Sequence, residues 1–423
     1  MTVIAHGAGD LTALGIPISV VLLVAASTVP ALAGLLSTRA ARSHGPAPAA
    51  SVKPLPRFAR TVLDAPSTRA VARYLVLAAF VGLLAVAAFG TERVTGNPAP
   101  RLALIVVWGL VALGSVLLGP VWGVVSPFRT LTGWLTRLTD PRESAVTPLP
   151  DRLGVWPGVA ALGIWAVAAE VLVSPRPTLV LLLAYSTVQI LAGLSYGRGW
   201  FARGEALEVY STWLGRMAPL TRDEDGHLSL RNPLSALARV TPVPGIRALL
   251  AVILGWELLH AATETERWLV SLAALGLPRS PWVTILALAV AIALASMVVR
   301  AATPKDFLVP ALIPLVAGWA LAHHVGPLLV DTRAVLADLA DPFARGWALF
   351  DLSGPPIEPT APGAVALAQL LVLLTGVLLT VAAAHRMSVS RYDLRAARAV
   401  QFPLRAMSVL VILAGIALQA GAI

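Results

Sequence analysis

The chain has 423 residues, of which 57% are hydrophobic and only 13% are charged, and it carries a formal net charge of +10 and no cysteine. A soluble domain of this length needs a charged surface, so the composition excludes a water-soluble globule and indicates a membrane protein. The missing cysteines exclude disulfides, haem–thiolate ligation and cysteine-ligated iron–sulfur clusters.

Ten long apolar runs alternate with polar connections along the chain. Each run is long enough, at ~1.5 Å per residue, to cross roughly 30 Å of hydrocarbon as a helix. The runs lack the strict alternation of apolar and polar residues that is typical of membrane β-barrel strands. We therefore predict an all-α polytopic bundle that forms a single transmembrane domain over residues 1–423. The predicted spanning helices are 15–36, 74–90, 102–125, 156–174, 178–197, 245–262, 282–300, 307–330, 363–384 and 402–420.

Basic residues concentrate in every second connection. Of the 32 lysines and arginines, 25 lie in the odd-numbered connections and 7 in the even-numbered ones. Cytoplasmic loops are enriched in basic residues, so this asymmetry predicts that the odd connections lie inside and both termini outside. The basic excess then faces the bilayer and its anionic lipids rather than a nucleic acid. The predicted outer loop 331–362 is acidic instead, with five carboxylates.

Two segments on the predicted cytoplasmic side have apolar residues at helical spacing. The segment 126–140 carries Trp134 on its apolar face, and 202–220 carries Tyr210 and Trp213. Apolar faces beside arginines suit the headgroup boundary, so one interpretation is a pair of cytoplasmic amphipathic interfacial helices. The other interpretation is that both helices pack on the cytoplasmic ends of the bundle.

Ionisable side chains within or next to the predicted spans gather toward the predicted outer side. Such side chains are costly at membrane depth, so each is a functional candidate. The predicted outer site contains two carboxylates and four histidines. These are Glu170, Glu257, His6, His260, His323 and His324.

Glu257 and His260 are three residues apart and share a helix face, which is the spacing with which helical bundles offer a carboxylate and an imidazole to a metal. These ligands suit a divalent ion such as zinc or copper, and a zinc site with an open position activates water. A polar pocket without a metal, or scattered structural polar residues, are the alternatives. Adjacent His323 and His324 point about 100° apart, so we expect only one to face a shared site.

Several short motifs occur in order over most of the chain. They are Ala5-His6-Gly7, Leu118-Gly119-Pro120-Val121-Trp122, Ser126-Pro127-Phe128-Arg129-Thr130-Leu131, Arg203-Gly204-Glu205-Ala206, Val209-Tyr210-Ser211, Arg216-Met217-Ala218-Pro219-Leu220, Arg231-Asn232-Pro233-Leu234, Gly318-Trp319-Ala320-Leu321-Ala322-His323-His324 and Ala384-His385-Arg386. Through them the chain resembles a family of bacterial integral membrane proteins that carry the name fenitrothion hydrolase. The resemblance implies a multi-pass protein of the bacterial plasma (inner) membrane that hydrolyses an organophosphate ester. It places His6, His323 and His385 at family-like positions, whereas Glu257-x-x-His260 departs from the family pattern.

Three functions are compatible with these observations. The first is a membrane-bound hydrolase with a divalent metal held by the outer histidines, and with Glu170 or Glu257 as ligand or general base. The second is a transporter or metal-handling permease, and the third is an accessory subunit whose inner helices bind a partner. The inner halves of helices 4, 6 and 8 are apolar apart from Arg247, which favours the first and third. No Gly-rich phosphate loop or Gly-x-Ser-x-Gly motif is present, which disfavours nucleotide hydrolysis and serine-triad chemistry.

Overall fold

The computed structural model describes residues 17–42, 52–94, 96–138, 147–222, 227–347, 349 and 362–419, and these residues are mostly helical. Within them, ten helical segments are long and apolar enough to cross a membrane, and we number these spans 1 to 10 in chain order. Their bounds are Ile18–Thr38, Pro66–Phe89, Ala99–Leu118, Asp151–Val171, Pro175–Tyr196, Ile246–Thr263, Pro281–Ala302, Asp306–Leu329, Gly363–Val389 and Leu394–Leu418. The predicted all-α polytopic bundle is confirmed.

Proline begins several of the spanning helices. Spans 2, 5 and 7 start at Pro66, Pro175 and Pro281, where the missing N–H is not needed and the fixed φ suits a helix. Several helices extend beyond their spans. The α-helices of the spans are Ile18–Arg42, Pro66–Phe89, Ala99–Arg101 with Val107–Leu118, Trp156–Val171, Pro175–Tyr196, Ile246–Thr263, Pro281–Ala302, Ile313–Ala340, Pro362–Val389 and Leu394–Gln419.

Two spans contain irregular turns. Span 3 includes a π-helical stretch, Leu102–Val106, which widens the helix immediately before Trp108. Span 8 begins with a 3₁₀ segment, Asp306–Leu312, and its α-helix then continues to Ala340. The first part of the predicted outer loop 331–362 is therefore helical, and residues 348 and 350–361 lie outside the described part of the chain.

The connections carry short helices and a small antiparallel sheet. The helices are Arg57–Asp64, Trp122–Val125, Pro127–Leu138, Arg198–Gly204, Ala206–Leu214, Pro233–Leu237 and Glu266–Ala274. The strands are Lys53–Pro54, Leu220–Arg222 and Leu228–Leu230, and the last of these lies in the middle. Its Leu230 aligns with Lys53 on one side and with Leu220 on the other.

Contacts between connections show that successive spans cross the bundle in alternating directions. The sheet joins the first connection to the fifth, and Arg203 of the fifth lies 2.8 Å from Asp151 at the start of span 4. At the other end, Arg176 at the start of span 5 forms an ion pair with Glu92 of the second connection. We call these ends the odd face and the even face after the connections they carry. The location of the odd face in the cytoplasm stays a prediction.

Spans 8 and 6 form the centre of the bundle. Of the 18 most apolar consecutive residues of each span, 83% are buried in span 8 and 61% in span 6. Spans 1, 2 and 7 bury only 17% and present their apolar side chains outward. Glycines allow span 9 to approach span 8 closely, because a Cβ added to Gly318 would lie 2.9 Å from the Cα of Gly376. The residues that span 8 carries are therefore surrounded by other helices.

The two helices with apolar stripes differ in their surroundings. Helix Ala206–Leu214 is buried on nearly every face and contacts spans 3, 4 and 8, which favours packing against the bundle over a surface position. Helix Pro127–Leu138 buries Phe128 but leaves Trp134 and Leu138 exposed, as a helix at the headgroup boundary would.

Candidate functional site

Glu170 and His260 meet because spans 4 and 6 both run toward the even face and carry these residues close to their ends. His260 Nδ1 lies 2.6 Å from Glu170 Oε1, and a carboxylate only accepts, so the imidazole N–H donates. The Glu170 side chain is buried, at 5% exposure. This charge-assisted bond fixes the orientation of the His260 ring and leaves its Nε2 facing away from Glu170.

The Nε2 side of His260 faces Glu264 and His323. His260 Nε2 lies 3.9 Å from Glu264 Oε1, and the rings of His260 and His323 have their centroids 4.9 Å apart. One ligand atom from each of the three residues lies within 4.8 Å of the other two, and all three are half-buried. We call these three residues the metal triad.

The donor set of the metal triad suits a transition metal. Two imidazole nitrogens and one carboxylate oxygen are the protein ligands of one class of catalytic zinc site, whose fourth position is left to water or substrate. Ligand atoms on one tetrahedral zinc ion are separated by roughly 3.3 Å. The triad atoms are 3.9 Å apart between His260 and Glu264 and within 4.8 Å in every pair, so they have to move closer together to bind one ion. Glu170 occupies the position of the carboxylate that commonly hydrogen-bonds the second nitrogen of a metal-bound histidine.

His324 points toward a different part of the bundle from His323. Its Nδ1 lies 2.7 Å from the backbone oxygen of Ala320, to which it donates, and 4.0 Å from Glu257 Oε1. The ring packs on Gly109 of span 3, where an added Cβ would lie 2.9 Å from His324 Cδ2. His324 and Glu257 therefore form a second buried pair behind the metal triad.

The structure regroups the residues that the sequence predicted as one outer site. His260 and His323 belong to the metal triad, Glu170 supports it, and Glu257 pairs with His324 instead of joining His260 in a Glu-x-x-His site. His6 lies outside the described residues. Glu264 was not among the predicted site residues, because the predicted helix 6 ends at residue 262. The signal was the i,i+4 spacing of Glu264 from His260, which puts both on one helix face.

A cavity of about 80 Å³ adjoins the metal triad. A single water needs roughly 10–15 Å³ of such space, so the cavity accommodates several waters or a small polar group. Spans 6, 8, 9 and 10 or their ends contribute the walls, which are mainly apolar with Gln369 as a buried amide. The lining residues are Ala261, Glu264, Thr265, Trp319, Ala322, His323, Gln369, Leu373, Gly415 and Leu418.

Aromatic side chains fill the bundle between the triad and the odd face. Trp108 is 1% exposed, and its ring contacts Trp256, Tyr210 and Trp165 at centroid distances of 5.5, 5.2 and 5.9 Å. The indole nitrogens of Trp108 and Trp165 have no hydrogen-bond partner in the described part of the chain. This cluster closes the bundle on the odd-face side of the metal triad.

A buried acidic network lies nearer the odd face. Tyr185 donates to Glu205 Oε1 at 2.9 Å and accepts from the backbone N–H of Ala206 at 2.8 Å. Glu205 also accepts from the backbone N–H of Glu208 and so caps helix Ala206–Leu214. Burial, followed by the charge of Glu208, raises the pKa of Glu205 to about 7. Glu208 in turn pairs with Arg129 through two hydrogen bonds. These bonds give the network a structural role.

Comparison of the chain with protein-family models, curated proteins and solved structures finds no match. The fold defines the chain as a polytopic helical membrane protein. Its even face carries a His/Glu triad that has the donors for a metal ion.

Proposed function

We propose that the protein binds one divalent transition metal, zinc or copper, through the metal triad, and uses it to hydrolyse ester substrates at the even face. The observation that carries the proposal is the combination of three ligand atoms within 4.8 Å of one another with a buried carboxylate that orients one of them. A bound divalent ion would lower the pKa of its water and polarise the ester oxygen.

The residues around the triad have roles that fit hydrolysis. His260, His323 and Glu264 bind the ion, and Glu170 holds the His260 ring in place. The cavity beside Glu264 and His323 receives the water and the reacting group, and the amide of Gln369 lies at its wall to bind a substrate oxygen. Apolar esters partition into lipid, so an even-face site surrounded by spans is accessible to them.

The aromatic cluster favours this function over a permease. A transport path requires a continuous series of polar groups through the bundle, whereas Trp108, Trp256 and Tyr210 pack together between the triad and the buried acidic network near the odd face. The resemblance to proteins labelled fenitrothion hydrolase supports an organophosphate-type ester as the substrate class and the bacterial plasma membrane as the location.

The neighbouring histidines provide a matched test of metal binding. We expect the protein, purified in detergent without chelator, to contain about one zinc or copper per chain by elemental analysis. His323→Asn should lose most of this metal, and His324→Asn should keep it, because only His323 belongs to the triad. Equal metal content in the two variants, or no metal in the wild type after zinc is added, would refute the proposed site.

Hydrolysis is tested separately with a dialkyl 4-nitrophenyl phosphate in liposomes. Wild-type protein should release 4-nitrophenol only when loaded with metal, and His323→Asn should not. If the protein binds metal but does not hydrolyse the ester, the metal site is supported and the proposed hydrolase activity is wrong.

A further inference from the structure

A polar pocket of about 480 Å³ opens at the odd face, far from the metal triad. It lies between helix Pro127–Leu138, helix Arg198–Gly204 and the odd-face ends of spans 2 and 5. We call it the arginine pocket, because four of its lining residues are Arg73, Arg129, Arg137 and Arg198.

Among the described residues, little negative charge compensates the arginine pocket. Arg129 is neutralised by Glu208, whose Oε2 lies 2.6 Å from the guanidinium Nε. Within the described residues, Arg73, Arg137 and Arg198 form no ion pair, and no carboxylate lines the pocket. The pocket contains no lysine, and the planar guanidinium fork matches the oxygens of a phosphate group better than an ammonium does.

A neutral donor also lacks a partner at this place. Thr132 lines the pocket with 6% exposure, and its buried Oγ1 has no hydrogen-bond partner in the described part of the chain. Buried hydroxyls are nearly always paired with protein, water or ligand. Gly133, the next residue of the same helix, also lines the pocket, and a Cβ added there would meet nothing within 4 Å. The wall of the pocket is therefore open at this position.

We propose that the arginine pocket binds a phosphate-ester group, and that an anionic phospholipid of the leaflet at the odd face supplies it. Trp134 and Tyr74 stack at the rim with ring centroids 6.0 Å apart. Trp134, Leu135 and Leu138 are exposed beside the pocket, where acyl chains can cover them. A soluble phosphate ester shares the headgroup chemistry but would leave this apolar surface uncovered.

Native mass spectrometry of the full chain in a non-ionic detergent tests this proposal. Phosphatidylglycerol should bind the wild type in preference to phosphatidylcholine. Arg137→Gln combined with Arg198→Gln should weaken phosphatidylglycerol binding by about tenfold, since two charge-assisted contacts are lost. Arg152→Gln combined with Arg395→Gln is the control, because it removes the same charge from exposed odd-face positions outside the pocket. It should change the affinity by less than about twofold.

Two further measurements test the arginine pocket. Gly133→Glu places a carboxylate in the pocket and should abolish binding while the thermal unfolding midpoint stays at the wild-type value. Displacement of the lipid by millimolar inorganic phosphate or glycerol 3-phosphate would support the phosphate site but assign it to a soluble ester. No preference for phosphatidylglycerol, or equal losses in the pocket and control variants, would overturn the proposal.

Discussion

The hydrogen bond from His260 to Glu170 makes a quantitative prediction about metal affinity. Glu170→Ala removes a buried, charge-assisted bond whose length is 2.6 Å. Such a bond contributes about 1.5–3 kcal/mol. At about 1.36 kcal/mol for each factor of ten, the metal dissociation constant should rise roughly 10- to 150-fold. Glu170→Gln keeps a neutral acceptor for the imidazole N–H, so its effect should be roughly tenfold or less.

Competition between the detergent-purified protein and a chromogenic zinc chelator measures this change. Glu92→Ala is the matched control, because Glu92 lies on the same face but is 63% exposed and pairs with Arg176. It should alter zinc affinity by less than about twofold. The reasoning is refuted if Glu170→Ala binds zinc as tightly as the wild type while keeping its unfolding midpoint, or if Glu92→Ala loses as much affinity.

Two further predictions concern stability. Gly109→Ala forces a Cβ to within 2.9 Å of the buried His324 ring, whereas Gly82→Ala meets nothing within 4 Å. The first should lower the unfolding free energy by about 1–3 kcal/mol and the second should not; equal unfolding midpoints in detergent would contradict this. The raised pKa of Glu205, about 7 against 4.5, means that the folded state binds more protons between these values. The stabilisation that Glu205 contributes should therefore be fully present below pH 4.5 and should be lost as the pH rises to about 7. The free energy of unfolding should fall by up to about 3 kcal/mol over this range. Glu205→Gln should lose this pH dependence. If the unfolding midpoint changes between pH 5 and pH 8 by the same amount in Glu205→Gln and in the wild type, the prediction is wrong.

The sequence determined the membrane architecture because hydropathy is additive along a chain. An apolar run of sufficient length has to cross the bilayer as a helix wherever its neighbours lie. The sequence determined the residues at which helices begin and end less accurately. The second span was predicted at 74–90 and runs over Pro66–Phe89, since the polar turn that precedes the apolar run still satisfies its backbone hydrogen bonds in a helix.

The site was only partly accessible from the sequence. His260 and His323 could be named, because ionisable residues stand out inside apolar runs and both were assigned to the predicted outer side. Their pairing could not be predicted, since Glu170 and His260 are 90 residues apart and their contact depends on how spans 4 and 6 rotate about their axes. The rotation of the helices also places Glu264 rather than Glu257 in the triad, and it places the His324 ring against Gly109.

Composition and charge thus determined that the described part of the chain contains ten helices long and apolar enough to cross a membrane, and they predicted the orientation. Only the tertiary structure decided which polar side chains face one another. Local sequence determines the depth of a residue along its helix, whereas the face that it presents follows from side-chain packing between helices that are distant in the chain.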